Sequence, residues 1–220
     1  MTVDIRVEDD PARSAAELLA EAAAAGGHVA LAGGSTPARA YELAALLQPD
    51  WSGTQVWFGD ERVVPPDDGR SNYRLVRTTL LDALARPPET HRIRGELPAE
   101  EAAALYDGEL ADVTLDLAVG GLGRDGHTAS LFPGAPALTE RERRAVAAEA
   151  GLEPFVPRVT MTPPVFAAAR LLVYLATGEG KAEAARRAFA AEPSAEVPAS
   201  LVRGIRTVAL LDAAAASRLP

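Results

Sequence analysis

Residues 117–134 read LAVGGLGRDGHTASLFPG, and this stretch decides both the fold class and where to look for a site. An apolar run over residues 115–119 leads into a pair of glycines, which is typical of a buried strand that ends in a tight turn. The glycine-rich loop that follows carries Asp125 and His127. Open α/β sheets bind their ligands at the carboxyl ends of strands, so this loop is a candidate site. The alternative is an ordinary turn with a solvated histidine.

Composition limits the classes of protein that need to be considered. The chain has 220 residues, of which 48% are hydrophobic and 24% charged, as expected for a globular protein that can bury a sizeable core. A net charge of −9 argues against a nucleic-acid or anionic-membrane partner. The absence of cysteine excludes disulfides and thiolate metal sites. The acidic start, MTVDIRVEDD, lacks the pattern of a signal peptide. We therefore expect a soluble, cytoplasmic protein.

Strand and helix patterns alternate along the chain. Periods of two and short apolar runs predict strands at residues 3–7, 28–32, 55–58, 115–119, 145–149, 158–162, 171–176 and 208–211. Caps, prolines and alanine-rich runs predict helices at residues 11–25, 37–47, 72–85, 98–111 and 181–191, and a last helix after Asp212.

This alternation predicts an α/β fold with one open, mostly parallel sheet that is covered by helices on both faces, in the manner of a Rossmann fold. Residues 1–220 show neither an internal repeat nor a linker long enough to mark a boundary. We therefore expect one domain. The sequence leaves the oligomeric state open between a monomer and a small homo-oligomer.

Two of the predicted strand ends carry glycine or acidic clusters besides the DGH loop. Residues 33–37, GGSTP, place Gly33, Gly34, Ser35 and Thr36 at the start of a helix, where free N–H groups and the helix dipole favour an anion. The same residues are equally suited to a helix cap without a ligand. Residues 60–62, DER, follow an aromatic strand; they belong either to a site or to a surface salt bridge of little energetic worth.

Two cations complete the set of candidate residues. Arg158 and Lys181 each lie beside a predicted strand end. Arginine suits bidentate contact with phosphate, and lysine provides a compact point charge. Taken singly, each is better explained as a solvated surface charge. Their coincidence with the other clusters at one edge of the predicted sheet indicates a functional site.

Together these stretches resemble the 6-phosphogluconolactonases, which share their fold with the glucosamine-6-phosphate deaminases. The resemblance runs over nearly the whole length and is carried by LAGGSTPARAYELAA (31–45), GDERVVPPDDGRSNY (59–73), LAVGGLGRDGHTASLFPG (117–134), PRVTMTPPVFAAAR (157–170), TGEGKAEA (177–184) and VPAS (197–200). It implies hydrolysis of 6-phospho-D-glucono-1,5-lactone to 6-phosphogluconate in the oxidative pentose phosphate pathway, without cofactor or metal.

The resemblance also implies roles for individual residues. His127 matches the family's catalytic histidine, a general base toward water, for which an imidazole that titrates near neutral pH is suited. Asp125 would orient it, as the acid of a catalytic triad does. The GGSTP turn with Arg158 and Lys181 would hold the 6-phosphate, while Asp60 and Arg62 would line the sugar end. The SNY motif supplies Asn72 without a defined contact, and we expect His28 and His91 to be structural.

Two alternatives remain to be weighed. The deaminases continue their histidine motif as DGH-I-A-F-N-E-P, with a glutamate that assists ring opening; here that position is Phe132, which cannot transfer a proton. A non-catalytic sugar-phosphate sensor of the bacterial-regulator type would need a DNA-binding module, and this acidic chain shows no basic helix-turn-helix. We therefore favour the lactonase.

Overall fold

The computed structural model describes residues 2–151, 153 and 155–220 of the chain. The strands are β1 Asp4–Val7, β2 Gly27–Leu31, β3 Thr54–Phe58, β4 Asp60–Arg62, β5 Glu89–Thr90, β6 Leu117–Gly121, β7 Ala145–Ala148, β8 Arg158–Met161, β9 Leu171–Ala176 and β10 Arg206–Leu211. The α-helices are α1 Pro11–Ala25, α2 Ser35–Leu47, α3 Asn72–Thr79, α4 Ala99–Glu109, α5 Pro163–Ala168, α6 Ala182–Phe189 and α7 Pro198–Leu201. Short 3₁₀ turns lie at Leu81–Ala83, Pro136–Thr139 and Glu179–Lys181.

Seven of the strands in the described part of the chain form one parallel sheet. Its order is β1-β10-β9-β6-β2-β3-β5, and each neighbouring pair is parallel. From β2 the chain moves outward through β3 to β5, then returns to β6 on the other side of β2. The direction of winding therefore reverses between β2 and β6. In open α/β sheets such a reversal is where ligands bind.

The pairing between those two central strands is short. Along the described parts of β2 and β6, the register runs from Val29 opposite Leu117 to Ala30 opposite Ala118. β2 continues beside β3 as far as Leu31, and β6 continues beside β9 as far as Gly121. The carboxyl-terminal ends of the two central strands are thus each paired on their outer side.

The helices form where the local chemistry starts and stops them. In α1, the Asp10 side chain accepts from the Arg13 N–H at 3.3 Å, Pro11 occupies the first turn and Gly26 ends the helix. Its buried face consists mainly of alanines with Leu19, so the helix lies close to the sheet. Its contacts with α2 and with β9 and β10 cover one face of the sheet.

A small antiparallel sheet stands beside the main one. Its order is β4-β8-β7, with Asp60 opposite Thr160 and Arg62 opposite Arg158. Gly59 joins β3 directly to β4, so the chain passes from one sheet into the other just after an aromatic strand. The small sheet carries Asp60, Arg62 and Arg158 to the carboxyl edge of the main sheet.

The predicted α/β fold with a mostly parallel sheet and helices on both faces is confirmed. The expected domain of residues 1–220 includes Met1, Leu152 and Pro154, which lie outside the described residues. Within that part of the chain, no helix is long and apolar enough to cross a membrane.

Some predicted elements differ from the structure. The strand expected at residues 115–119 is Leu117–Gly121, so it continues through the glycine pair. The helix expected at 72–85 ends at Thr79 and gives way to a 3₁₀ turn. The expected last helix is wrong: residues 213–218 form successive turns. There the Asp212 carboxylate accepts from both the Ala215 N–H at 2.6 Å and the Gly178 N–H at 3.0 Å, and a segment this short is a marginal helix in any case.

Candidate active site

A cleft of about 430 Å³ opens at the carboxyl edge of the main sheet, where β2 and β6 end. Of the ten candidate site residues from the sequence, all of which the structure describes, nine line this cleft: Gly33, Gly34, Ser35, Thr36, Asp60, Arg62, His127, Arg158 and Lys181. The tenth, Asp125, lies immediately behind His127. Residues from distant parts of the chain therefore meet in one cleft, at the point between β2 and β6 where the strand order reverses.

Asp125 and His127 form a hydrogen-bonded pair. The Asp125 Oδ1 atom lies 2.5 Å from His127 Nδ1 and also accepts from the His127 backbone N–H at 3.2 Å. Burial disfavours the ionised form of Asp125, but hydrogen bonding to His127 and its charge outweigh burial and lower the pKa of the carboxyl group. An ionised carboxylate only accepts, so Nδ1 carries the proton. The Nε2 lone pair is thereby left as the basic position of the ring.

Close packing fixes the orientation of this imidazole. A Cβ atom on Gly123 would lie 2.1 Å from His127 Nδ1 and 2.5 Å from Asp125 Oδ1, so the ring sits where only glycine leaves room. The ring of Phe132 also lies 4.8 Å from the imidazole centroid at an angle of 50°. Contacts with the Gly123 backbone and with an aromatic ring therefore restrict the imidazole.

The GGSTP turn forms another part of the cleft wall. Gly34 is the N-cap of α2 and has a φ of 114°, a conformation that favours glycine. Since Gly34 has no side chain to cap the helix, the first N–H groups of α2 remain suited to an anion. Thr36 Oγ1 lies 3.0 Å from Thr177 Oγ1, which ties this turn to the loop after β9.

Lys181 is half-buried at the cleft wall. Its Nζ donates to the Leu122 carbonyl oxygen at 2.6 Å, so the ammonium group is anchored to the start of the loop that follows β6. Burial lowers the pKa of Lys181, the charge of Arg124 lowers it further, and Asp125 opposes both. A desolvated cation of this kind gains more from an incoming anion than a solvated lysine does.

The two arginines of the small sheet also face the cleft. Arg158 is 4% exposed, and burial lowers its pKa, with repulsion from Arg62 adding to the effect and Asp60 and Glu61 opposing it. Arg62 Nη1 donates to the Arg70 carbonyl oxygen at 2.5 Å, which fixes its direction. Two like charges opposite each other in an antiparallel pair destabilise the sheet, and an anionic ligand in the cleft offsets that repulsion.

Asp60 is held from two sides. Its Oδ2 atom accepts from Ser130 Oγ at 2.6 Å, and its Oδ1 atom accepts from Asn72 Nδ2 at 3.1 Å. Asn72 Nδ2 also donates to the Asp60 backbone oxygen at 2.9 Å. The carboxylate thus joins the start of β4, the start of α3 and the DGH loop.

Glu61, the middle residue of the DER motif, is part of the scaffold. Its side chain is buried and accepts from the N–H groups of Arg62, Asn72 and Tyr73 and from Ser71 Oγ. Burial raises the pKa of Glu61 in spite of these four bonds. Glu61 therefore caps α3 and is not one half of a surface salt bridge.

Sequence reasoning missed several residues of the cleft wall. Arg124, Asn72, Ser130 and Phe132 all line it, yet the sequence assigned them no contact there. A signal existed for Arg124, which stands between two glycines of the loop, but nothing local predicts the contact of Ser130 with Asp60.

The other two histidines do not line this cleft, and both contact Trp57. His28 Nδ1 accepts from Trp57 Nε1 at 3.0 Å, and the His91 ring stacks on Trp57 at 4.0 Å. Within residues 2–151, 153 and 155–220, no group of three or more histidine or acidic side chains is arranged to hold a metal ion.

Comparison with known proteins extends these observations. Residues 6–210 match the model of the family described as glucosamine-6-phosphate isomerases/6-phosphogluconolactonase. The 6-phosphogluconolactonase of Homo sapiens is 40% identical over 186 residues, which cover 79% of this chain and 72% of the human protein.

Solved structures give the same result at the level of fold. The 6-phosphogluconolactonase from Trypanosoma cruzi superposes with a TM-score of 0.85 at 28% identity, covering 100% of this chain and 98% of that one. A monomeric glucosamine-6-phosphate deaminase superposes with a TM-score of 0.86 over 99% of this chain and 100% of its own, but its 19% identity shows the fold alone. In sequence over nearly all its length, and in fold, this chain belongs to the family of glucosamine-6-phosphate isomerases and 6-phosphogluconolactonases.

Proposed function

We propose that this chain hydrolyses 6-phospho-D-glucono-1,5-lactone to 6-phosphogluconate, with His127 as the general base. The observation that supports the proposal most directly is the Asp125–His127 pair, at 2.5 Å, in a cleft that is also lined by the α2 N-terminus and four cationic side chains. The relatives named 6-phosphogluconolactonase support the same reaction. As written, the reaction needs water and a base, and it requires no cofactor or metal.

His127 would act twice. Its Nε2 atom takes a proton from a water molecule as the water oxygen attacks C1 of the lactone, giving a tetrahedral intermediate and an imidazolium. The intermediate collapses with cleavage of the bond between C1 and the ring oxygen. The imidazolium then returns its proton to that oxygen, which becomes the free hydroxyl of 6-phosphogluconate. A positioned base of this type contributes about 10²- to 10⁴-fold.

Asp125 would support both steps through His127. Its hydrogen bond fixes the tautomer with the proton on Nδ1, and its charge stabilises the imidazolium that forms after water attack. The lowered pKa of Asp125 keeps the carboxylate ionised at the pH at which an imidazole works. Asp125 is therefore a positioning residue in this proposal.

The anionic end of the substrate would lie at the part of the cleft wall formed by the GGSTP turn. The first N–H groups of α2, with Gly33, Gly34, Ser35 and Thr36, offer donors for a phosphate, and Lys181 and Arg158 offer charge. Asp60 and Arg62 would line the part of the cleft that holds the sugar. Binding by the phosphate, away from the reacting carbon, would orient C1 toward His127.

A deaminase reaction is less well supported by the same cleft. The residue five positions after His127 is Phe132, which is 6% exposed and packs against the imidazole. A phenyl ring cannot donate or accept the proton that ring opening of an amino sugar requires. We therefore retain hydrolysis, and we further propose that the enzyme acts in the cytoplasm as one domain.

The proposal is tested by following acid release from lactone generated in situ, with a correction for spontaneous hydrolysis. We expect rapid turnover by the wild-type protein and a loss of about 10²- to 10⁴-fold in kcat for His127→Ala. His91→Ala is the matched control, because it removes an imidazole remote from the cleft and should leave kcat unchanged. A His127→Ala variant with wild-type kcat would remove this residue from the mechanism.

A further inference from the structure

The contact between Ser130 and Asp60 joins two distant parts of the chain inside the cleft wall. Ser130 Oγ donates to Asp60 Oδ2 at 2.6 Å across 70 positions of sequence. Ser130 is 1% exposed and Asp60 is 8% exposed. A short hydrogen bond from a hydroxyl to a carboxylate, shielded from water, is among the stronger contacts that a protein makes.

The backbone around Ser130 is shaped to make this contact. The preceding residue, Ala129, has a φ of 49°, a left-handed conformation that is uncommon for any residue except glycine. The Ser130 N–H is in turn bound by Thr160 Oγ1 at 3.2 Å. Strained backbone of this kind persists where the surroundings hold it, and it concentrates at functional sites. In this loop the strained residue, Ala129, lies between His127, which faces the cleft, and Ser130, which faces Asp60.

Asp60 retains capacity to bind a ligand after these contacts are made. A carboxylate accepts about four hydrogen bonds; from the residues that the structure describes, the side-chain oxygens of Asp60 receive one from Ser130 and one from Asn72. Asp60 also lines the cleft. The groups that a carboxylate binds are donors, and the donors on a sugar lactone are its ring hydroxyls.

We propose that Ser130 is a positioning residue that holds the Asp60 carboxylate to receive the ring hydroxyls of the substrate, at a fixed distance from His127. Because Ser130 and His127 belong to one loop, the hydrogen bond sets the sugar-binding carboxylate and the imidazole relative to each other. The inference rests on the proposed function for the identity of the substrate, and it adds the chemistry by which the polyol is recognised.

The test is a double-mutant cycle of Ser130→Ala and Asp60→Asn, measured by steady-state kinetics on the phosphorylated lactone. If Ser130 acts through Asp60, Ser130→Ala raises KM about 10-fold and changes kcat less than about threefold, since lost ground-state binding appears in KM. The double variant is then no worse than Asp60→Asn alone. Ser130→Thr, which keeps the hydroxyl, restores much of the lost affinity.

A control separates this role from a structural one. Thr54 is 1% exposed, and its hydroxyl donates to the Ala23 carbonyl oxygen at 3.3 Å at the opposite edge of the sheet. Thr54→Val removes a buried hydroxyl there and lowers Tm without moving KM. If Ser130→Ala behaves in the same way, or if the effects of Ser130→Ala and Asp60→Asn add, Ser130 is merely structural and the inference is wrong.

A binding measurement keeps the inference distinct from the proposed reaction. By calorimetry, Ser130→Ala should weaken 6-phosphogluconate about 10-fold and leave inorganic phosphate unchanged. If the wild-type protein binds 6-phosphogluconate without hydrolysing the lactone, and Ser130→Ala weakens that binding about 10-fold, the reaction is overturned but the role of Ser130 is retained. Equal weakening of both ligands by Ser130→Ala would overturn the role of Ser130.

Discussion

Replacing Gly123 with alanine is expected to displace the imidazole of His127 and to lower kcat about 100-fold. The added Cβ would lie 2.1 Å from His127 Nδ1, whereas ordinary contact begins at about 3.4 Å, so the ring must move by more than about 1 Å. Displacement of a catalytic group by about 1 Å costs on the order of 10²-fold in rate. Gly123 does not have a positive φ, so its backbone conformation accepts alanine.

The effect should fall on kcat, because the phosphate-binding wall is formed by other elements. The assay is acid release at saturating lactone, with the affinity for inorganic phosphate measured in parallel and expected to be unchanged. Gly108→Ala is the matched control: its added Cβ has no neighbour within 4 Å among the described residues, and it lies in α4, where alanine is favoured over glycine by about 0.5–1 kcal/mol. A Gly123→Ala enzyme with wild-type kcat would show that the orientation of His127 does not govern the rate.

Asp125→Asn should lower kcat about 100-fold or more, because the amide no longer enforces the Nδ1 proton or stabilises the imidazolium; an unchanged kcat would contradict this. The lowered pKa of Asp125 means that its contribution to stability is present above its ordinary value of 3.8 and is lost as the pH falls through the lowered pKa, so the acid limb of the Tm–pH curve should flatten in Asp125→Asn. Lys181→Met should raise KM for the phosphorylated lactone about 10-fold but leave the rate on unphosphorylated gluconolactone unchanged, and equal losses on both substrates would refute phosphate contact. Since burial lowers the pKa of Lys181, the affinity of the wild-type protein for 6-phosphogluconate should begin to fall at a pH below 10.5 as the ammonium loses its proton, and this fall should be absent in Lys181→Met.

Much of the main sheet could be predicted because its signals are local. Asp10 with Pro11 fixes the start of α1 through capping and proline geometry. The GGSTP turn predicts the start of α2 to within two residues, but the N-cap there is Gly34 and makes no side-chain hydrogen bond. The small antiparallel sheet could not be predicted as a unit. Its pairing of Asp60 with Thr160 joins segments about 100 positions apart, and no local pattern encodes such a contact.

The candidate site likewise has a part that local sequence patterns predict and a part that depends on tertiary contacts. Glycine-rich loops after strands predict where ligands approach, and the cleft contains the residues that those loops carry. The partners that hold Asp60 were missed, since Ser130 and Asn72 reach it only through the tertiary fold. The prediction of a last helix was wrong for a related reason. Asp212 is a suitable N-cap on sequence grounds, but its carboxylate also accepts a hydrogen bond from Gly178, in the loop after β9.

The brief pairing of β2 with β6 has a consequence for how this protein can change. The cleft lies where β2 and β6 stop pairing with each other and each continues beside its outer neighbour, so its position is set by the backbone of the sheet. Substitutions in the loops that line the cleft can therefore alter which ligand fits without opening a void in the core. The depth of the cleft, by contrast, is set by the strand order of the sheet. New specificity should be accessible through loop residues alone, at little expense in folding stability.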